Sequence, residues 1–382
     1  MNNLKIIIIC TAVALVLLCS CNTGSGTAAF SGGDTLQLKH SELLTIVKHD
    51  SFTVVTISDP WNKGKALHTY ILVSDTLAGL ADRMKAHRTT NETVVRTPLR
   101  HAVVTTSVHC GLLVSLGKGG SIGGICDIEY INQPWIRQQC AKGAIADCGN
   151  STAPTLEKII AAKADAVLIS PFQNSGGYGR LAEWDSPVIE MADYMETSAL
   201  GRAEWMKFYG MLFGAENKAD SLFDAVEQIY NELKTMAKKS RTRKSVIMDK
   251  VEGSVWYVPG GRSTIGGIIA DANAGYAFAD DQNSGSLQLT FETVLEKAGN
   301  ADVWMYRYGG RQATLETLLA ENRGYAEFKA FKDKAVYGCN TTTTTFYEDT
   351  PFRPDLLLRD FIIITHPDLT NLGAPKYFTK LK

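Results

Sequence analysis

The sequence lacks several features that would assign a protein quickly to a functional class. It has almost no net charge, with 39 Lys and Arg residues against 40 Asp and Glu residues, so its charge gives no indication of nucleic-acid binding. It contains no CxxC pair, no HExxH motif and no cluster among its seven His residues, which excludes the common zinc and redox motifs. Its N-terminal apolar run, residues 6–18, is too short to span a bilayer comfortably.

The N-terminus is instead typical of a cleaved secretory signal. Lys5 precedes the apolar run, which ends in small residues. The tetrapeptide Leu18-Cys19-Ser20-Cys21 resembles the bacterial lipobox, whose last Cys becomes the lipidated first residue of the mature protein. We therefore predict a signal peptide over residues 1–20, an acyl anchor on Cys21 and a lipidated flexible tether over residues 21–34. The alternative is an ordinary signal that is cleaved elsewhere, with Cys21 incidental.

The remaining cysteines are too few and too scattered to define a disulfide framework. If Cys21 is acylated, an odd number is left, so they cannot all pair. The export route is oxidising and permits one or two disulfides, but we interpret these residues mainly as small buried side chains. They are Cys110, Cys126, Cys140, Cys148 and Cys339.

The mature chain is longer than one hydrophobic core usually supports, so two globular units are expected. Residues 35–97 alternate apolar and polar positions and are predicted to form a β-rich extension that packs on the first lobe, with a hairpin between residues 52–57 and 70–73. Residues 98–195 alternate strands with helices, which predicts an α/β lobe with a parallel sheet. The alternation resumes over residues 240–382 and predicts a second lobe.

Residues 196–239, between the lobes, are predicted to form one bridging helix. Apolar residues recur at spacings of three and four from Leu222 to Met236, and a helical stretch from about Ala199 to Phe213 precedes them, with Gly214 at the join. Together they would make about 38 residues, or near 55 Å at 1.5 Å per residue. The predicted fold class is α/β, with two α/β lobes bridged by a single long rigid helix and a ligand cleft between the lobes.

Two features suggest catalysis, and each has a structural alternative. The glycine-rich residues 117–124 contain Gly119-x-Ser121-x-Gly123, which matches the nucleophile elbow of hydrolases by its letters. That chemistry needs a strand before the Ser and a helix after it, whereas here a helix is predicted before and a strand after, so a helix cap and turn is favoured. His109 lies where a strand meets a helix and is a candidate contact for a ligand, a metal or a haem iron; the alternative is a structural His.

Loops that follow predicted strands carry many aromatic and cationic residues. If the strands are parallel, these loops share one edge of each sheet, where open α/β folds bind ligands. Aromatic rings and Arg side chains together suit a large planar or macrocyclic anionic ligand, whereas loop packing explains any single one of them about equally well. The candidate ligand-binding residues are Ser107, His109, Asp127, Tyr130, Phe172, Gln173, Trp256, Tyr257, Arg262, Ser263, Arg307 and Tyr308.

Several segments, in this order and spacing, resemble a known family. They are AVVTTSVH (residues 102–109), IGGICD (122–127), Gly149 followed by TLEKI (155–159) and KADAVL (163–168), then WYVPGGRS (256–263), ADVW (301–304) and RPDLLLRD (353–360). From about Leu36 onward the chain resembles the periplasmic solute-binding lipoproteins of ABC importers for iron-siderophore complexes, haem and cobalamin, and is most similar to the versions from Bacteroides-like bacteria.

The resemblance implies a binding protein, not an enzyme. It implies a monomeric, lipid-anchored protein facing the periplasm, with no intrinsic cofactor and no nucleic-acid partner, that delivers an iron chelate, haem or cobalamin to an inner-membrane ABC permease. Family members often carry a Glu near the start of the second-lobe helix for docking, but here the matching turn, residues 265–268, has no acid. One alternative is an envelope hydrolase that uses Ser121 or a metal at His109. Another is a surface lipoprotein that scavenges ligand for an outer-membrane transporter. Such a lipoprotein should carry an acidic run after Cys21, but residues 22–30 contain no acid.

Overall fold

The chain forms, in order, a β-sheet, an α/β lobe, a helical connection and a second α/β lobe. A computed structural model describes residues 32–173 and 178–382, with residues 182 and 183 described by their backbone only. The predicted signal peptide and Cys21 therefore lie outside the described residues. In the part of the chain that is described, no helix is both long enough and apolar enough to cross a membrane.

The N-terminal sheet covers one side of the first lobe. Its strands are β1 (Asp34–Thr35), β2 (Leu44–Lys48), β3 (Phe52–Ser58) and β4 (Ala66–Ser74), then helix α1 (Ala78–His87) and strand β5 (Glu92–Thr97). The first four strands are antiparallel neighbours and β5 pairs parallel with β4, so the predicted hairpin between β3 and β4 is confirmed. Ile46, Val55 and Tyr70 are fully buried in the same core as the first lobe.

The first lobe is built on a parallel sheet, as the alternation of strands and helices predicts. Along the chain its elements are β6 (Ala102–Val104), α2 (Ser107–Ser115), β7 (Ile122–Ile125), α3 (Pro134–Ala141), β8 (Ala146–Asp147), the short pair β9 (Gly149–Asn150) and β10 (Ala153–Pro154), α4 (Leu156–Ala161), β11 (Ala166–Ile169) and β12 (Val188–Glu190). The sheet order is β12-β11-β6-β7-β8. Every residue of the central strands β6 and β11 is buried.

Three helices connect the lobes: α5 (Ala199–Glu204), α6 (Met206–Phe213) and α7 (Glu216–Lys238). The expectation of one continuous helix from Ala199 is wrong, because Gly214 has a left-handed backbone with φ of 61° that ends α6. The 23-residue α7 is the long bridging helix, about 34 Å long at 1.5 Å per residue. Its Phe223 packs in the first-lobe core and its Tyr230 in the second-lobe core, which confirms a single long bridging helix.

The second lobe contains two sheets. Its strands are β13 (Ser245–Met248), β14 (Val251–Glu252), β15 (Val255–Pro259), β16 (Gly275–Tyr276), β17 (Ser286–Leu289), β18 (Val303–Tyr308), β19 (Val336–Asn340) and β20 (Thr379–Lys380). Its helices are α8 (Thr264–Asp271), α9 (Phe291–Ala298), α10 (Leu315–Glu321), α11 (Lys329–Lys332), α12 (Phe346–Asp349) and α13 (Pro354–Thr365). The main sheet, β16-β13-β18-β19-β20, is parallel except for β20, and β14, β15 and β17 form a separate antiparallel sheet.

The five cysteines of the described chain are free thiols. Cys110, Cys126, Cys148 and Cys339 are buried and Cys140 is half-buried. Burial raises the pKa of the Cys148 thiol to about 11, so it stays protonated and unreactive at neutral pH. These residues are small buried side chains, as the sequence indicates.

Candidate ligand-binding cleft

The parallel strands of both lobes end at loops that line two grooves. In the first lobe these are the loop after β11 and residues 151–157, which follow β8 and β9, and in the second lobe the loops after β13, β18 and β19. The carboxyl edge of a parallel sheet is where open α/β folds bind ligands. The two grooves together are the candidate cleft.

The first-lobe groove has a volume of about 430 Å³ and is lined by residues 151–157, 169, 170, 172 and 178–181. Phe172, directly after β11, exposes 56% of its surface there, and Gln173 beside it is exposed. Asp127 follows β7 with a left-handed backbone, and its Oδ1 accepts the N–H of Ser151 at 3.1 Å. The carboxylate of Asp127 thus holds one wall of the groove in position.

The loop after β7 also reaches the second lobe. Tyr130 in this loop is 71% exposed, and two residues later the Asn132 amide donates to the carbonyls of Thr341 and Thr344 at 2.7 and 3.0 Å. The N–H of Asn132 donates to the buried carboxylate of Glu348 at 2.6 Å. Because Thr341 lines the second-lobe groove, this contact places Tyr130 close to where the two lobes meet.

The second-lobe groove has a volume of about 270 Å³ and brings together Tyr257, Arg307 and Tyr308 from the predicted set. Arg307 is already paired: its Nε and Nη2 donate to the two carboxylate oxygens of Asp249 at 3.0 and 2.5 Å. Burial alone would lower the pKa of Arg307, but the charge and hydrogen bonds of Asp249 raise it above its ordinary value. The guanidinium is therefore permanently charged, with much of its charge offset by Asp249.

Trp256 does not line the groove, so its prediction as a ligand-binding residue is wrong. Its side chain is fully buried, its ring lies 5.6 Å from that of Trp304, and its Nε1 donates to the Met248 carbonyl at 2.9 Å. Successive strand residues point to opposite faces, so Tyr257 is the exposed neighbour, at 40%. The physical reason is that β15 belongs to the separate antiparallel sheet and covers the core with one face.

Arg262 and Ser263 lie after β15, away from the carboxyl edge of the parallel sheet. Arg262 is exposed and is not among the residues that line the second-lobe groove. Ser263 is buried and caps α8: its Oγ accepts the Gly266 N–H at 3.0 Å and donates to the Gly260 carbonyl at 2.7 Å. Ser263 thus has a structural role, since it satisfies a free N–H at the start of a helix.

His109 is buried inside the first lobe, with 1% of its side chain exposed, which favours the structural alternative. Its Nε2 lies 3.5 Å from Oδ1 of Asp193, which also pairs with Arg202. Burial would raise the pKa of Asp193, but Arg202 and His109 together lower it. Ser107, the half-buried first residue of α2, lies two residues earlier, so neither residue joins the aromatic side chains of the cleft.

A helix precedes Ser121 and a strand follows it, which is the reverse of the order in a nucleophile elbow. Helix α2 ends at Ser115, Gly117 takes a left-handed φ of 73°, and Ser121 precedes β7. A nucleophile elbow needs a strand before the Ser and a helix after it. Within the described residues, no group of three or more His, Cys, Asp or Glu side chains is arranged to hold a metal ion.

The sequence-based set misses residues of the cleft, and three of them show why. Asp249, Thr341 and Tyr347 line the second-lobe groove, and Tyr347 exposes 45% of its surface. The first two directly follow β13 and β19, so applying the strand-end criterion to these strands would have found them. Tyr347 lies in α12, which packs against α2 of the first lobe, and no sequence pattern indicates that contact.

Two α/β lobes, a bridging helix and a cleft between strand ends define a bilobed solute-binding protein. The chain belongs to the periplasmic binding protein family, whose model matches residues 103–342. Binding proteins of this family work with ABC permeases and bind small ligands. The family consists of substrate-binding proteins and not enzymes, so the hydrolase alternative is wrong.

Relatives and solved structures agree with this assignment. An uncharacterized lipoprotein of Methanocaldococcus jannaschii is 29% identical over 300 residues, which cover 76% of this chain and 70% of the relative. The molybdate periplasmic binding protein MolA of Haemophilus influenzae has a TM-score of 0.58 at 17% identity, covering 72% of this chain and 89% of its own. A periplasmic heme binding protein of Pseudomonas aeruginosa has a TM-score of 0.57 at 14% identity, covering 74% and 98%. At such identities the structures show a shared fold.

Proposed function

We propose that this protein is the lipid-anchored, substrate-binding component of an ABC importer that captures an iron chelate, haem or cobalamin and delivers it to an inner-membrane permease. The observation that carries the proposal is the placement of exposed aromatic side chains. Of the six in the described chain, five lie in the two grooves, against the loop after β11 or beside the contact between the lobes; only Trp135 does not. The five are Tyr130, Phe172, Tyr194, Tyr257 and Tyr347.

Exposed aromatic rings on both lobes suit a large ligand with flat apolar faces. Each ring leaves apolar area in water that a ligand would cover, at about 25 cal/mol per Å² buried. The cations of the second-lobe groove are already paired, Arg307 with Asp249 and Lys250 with Glu321. Little free positive charge remains there for a small oxyanion, which favours a chelate or macrocycle held mainly by its faces.

The first test identifies the cargo. Protein purified from its native host should retain ligand, and one absorbance spectrum separates haem, cobalamin and ferric chelates because their chromophores differ. A preparation that binds none of the three when they are added, as measured by titration, would contradict the proposed ligand class. We propose that the protein has no resident cofactor. A chromophore that copurifies with it would be the transported ligand.

The second test addresses the aromatic side chains. Phe172→Ala and Tyr347→Ala should each weaken binding of the identified ligand by roughly tenfold or more, because truncating a contacting aromatic typically costs over 1 kcal/mol. Trp135→Ala is the matched control, since its side chain is also exposed, at 37%, but packs beside Gly119 away from both grooves. Equal affinities for all three variants would remove these residues from the site.

The membrane anchor is tested at Cys21. The lipoprotein of Methanocaldococcus jannaschii supports lipidation of this chain as well. At about 0.8 kcal/mol per buried CH₂, more than one acyl chain is needed for stable anchoring, so Cys21→Ser should release the protein into the soluble fraction. A Cys21→Ser protein that still sediments with membranes and incorporates a palmitate analogue would exclude this anchor.

Docking to the permease has to use carboxylates other than one at the start of α8. The first turn of α8, which begins at Thr264, contains no acidic residue. We also propose that the protein acts as a monomer, which size-exclusion chromatography with light scattering of the detergent-solubilised protein measures directly.

A further inference from the structure

A third groove lies between the N-terminal sheet and the first lobe, outside the cleft. Its volume is about 480 Å³, which is in the range of small-molecule sites. One wall comes from β4, β5 and the end of α1, and the other from the segment before and including β12. We call it the side groove; it is lined by residues 68, 85, 88–90, 92–94, 178, 181, 184–188 and 190.

The side groove contains the carboxylate of Glu190, which forms no ion pair with a Lys or Arg of the described residues. The side chain of Glu190 is only 13% exposed, and its Oε2 is 3.8 Å from Nδ1 of His68. Burial, followed by the charge of Arg88, lowers the pKa of His68 to about 4, so His68 is neutral at pH 7. The hydroxyl of Tyr178 donates to Oε1 of Glu190, but this bond carries no positive charge.

Two cations also line the side groove. Lys85 lies in the last turn of α1, and Arg88 directly follows this helix. Both line the groove, and none of the ion pairs found in the described chain involves either residue. The groove is thus lined by two cations without an ion pair in the described chain, together with the buried carboxylate of Glu190 and the carboxylates of Glu92 and Asp185.

An apolar wall completes the site. Trp184 and Pro187 line the groove on the first-lobe side and offer flat apolar area beside the charged groups. A buried carboxylate is destabilised unless a cation or donors compensate it, and burial raises the pKa of Glu190. A ligand that supplies an ammonium group to Glu190 would remove that cost.

We propose that the side groove binds a small zwitterion of the amino-acid type, with its ammonium at Glu190, its carboxylate at Lys85 and Arg88, and a flat side chain against Trp184. This site is separate from the cargo cleft and does not depend on the identity of the cargo. Tyr178 lines both the side groove and the first-lobe groove. A ligand in either groove would therefore lie beside the same tyrosine side chain.

The test uses three ligands that differ only in their charged groups. The detergent-solubilised full-length protein is titrated calorimetrically with L-phenylalanine, 2-phenylethylamine and 3-phenylpropionate. Phenylalanine should bind with a Kd of about 1 mM or lower, and at least about tenfold more tightly than the amine or the acid alone. Glu190→Gln keeps the acceptor for Tyr178 but loses the charge, and Arg88→Ala removes a cation from the groove lining; each should weaken phenylalanine binding by about tenfold.

Arg83→Ala is the matched control, because Arg83 is an exposed cation of the same helix that does not line the groove. It should leave the Kd unchanged. No phenylalanine binding at about 10 mM, equal affinity for phenylalanine and 3-phenylpropionate, or binding that survives both Glu190→Gln and Arg88→Ala would each overturn the proposal.

Discussion

Truncation of Trp256 should damage stability and leave ligand affinity intact. The ring is fully buried and lies 5.6 Å from Trp304 and 5.5 Å from Phe328. Replacing a buried Trp with Ala typically costs about 3–5 kcal/mol, and the Met248 carbonyl also loses the indole N–H that donates to it, for about 1 kcal/mol more. We therefore expect Trp256→Ala to lower the free energy of unfolding by about 4 kcal/mol or more.

Tyr257 is the matched control, because it is the next residue of the same strand and faces the other way. Tyr257→Ala should change the free energy of unfolding by less than about 0.5 kcal/mol, as is usual for exposed side chains, yet weaken ligand binding by roughly tenfold. Trp256→Phe keeps a ring in the core but removes the indole donor, and should cost about 1–2 kcal/mol.

The assay is urea denaturation followed by circular dichroism, together with ligand titration of each folded variant. The expected pattern is a crossover: Trp256→Ala affects stability only and Tyr257→Ala affects affinity only. If Trp256→Ala unfolds at the wild-type urea concentration but loses ligand binding, the ring faces the ligand and the assignment of the two faces of β15 is wrong.

Three further predictions concern other parts of the fold. Glu204→Gln should lower the free energy of unfolding by about 2 kcal/mol, because the fully buried carboxylate accepts the N–H groups of Lys39, His40 and Ser41; an unchanged urea midpoint would contradict this. The folded pKa of His68, about 4, lies below the ordinary 6.5, so the unfolded chain binds more protons than the folded chain below pH 6.5. The free energy of unfolding should therefore fall by about 2–3 kcal/mol between pH 7.5 and 4.5. In denaturation experiments, His68→Gln should lack this pH-dependent loss of stability. Arg262→Ala should change ligand affinity by less than about 0.5 kcal/mol, and a thirtyfold loss in a titration would return Arg262 to the site.

The architecture follows from local patterns that the chain itself carries. The alternation of short apolar runs with helical periodicity predicts parallel sheets, since parallel strands need crossover helices. In α7 the apolar residues Phe223, Val226 and Tyr230 recur at spacings of three and four, which fixes one buried face. The position of Ser121 before a strand and not after one also follows from sequence order alone. The family to which the chain belongs has the same fold that these local sequence patterns predict.

The composition of the site was decided by contacts between residues far apart in the chain. Asp249 offsets the charge of Arg307 across 58 positions, and no local spacing indicates such a pair. The alternating pattern around Trp256 and Tyr257 shows that they point to opposite faces, but only the packing of the small antiparallel sheet determines which face is buried. His109 likewise depends on Asp193, which comes from another segment of the first lobe. Burial and charge compensation are properties of the assembled core, so they appear only when the tertiary structure brings these segments together.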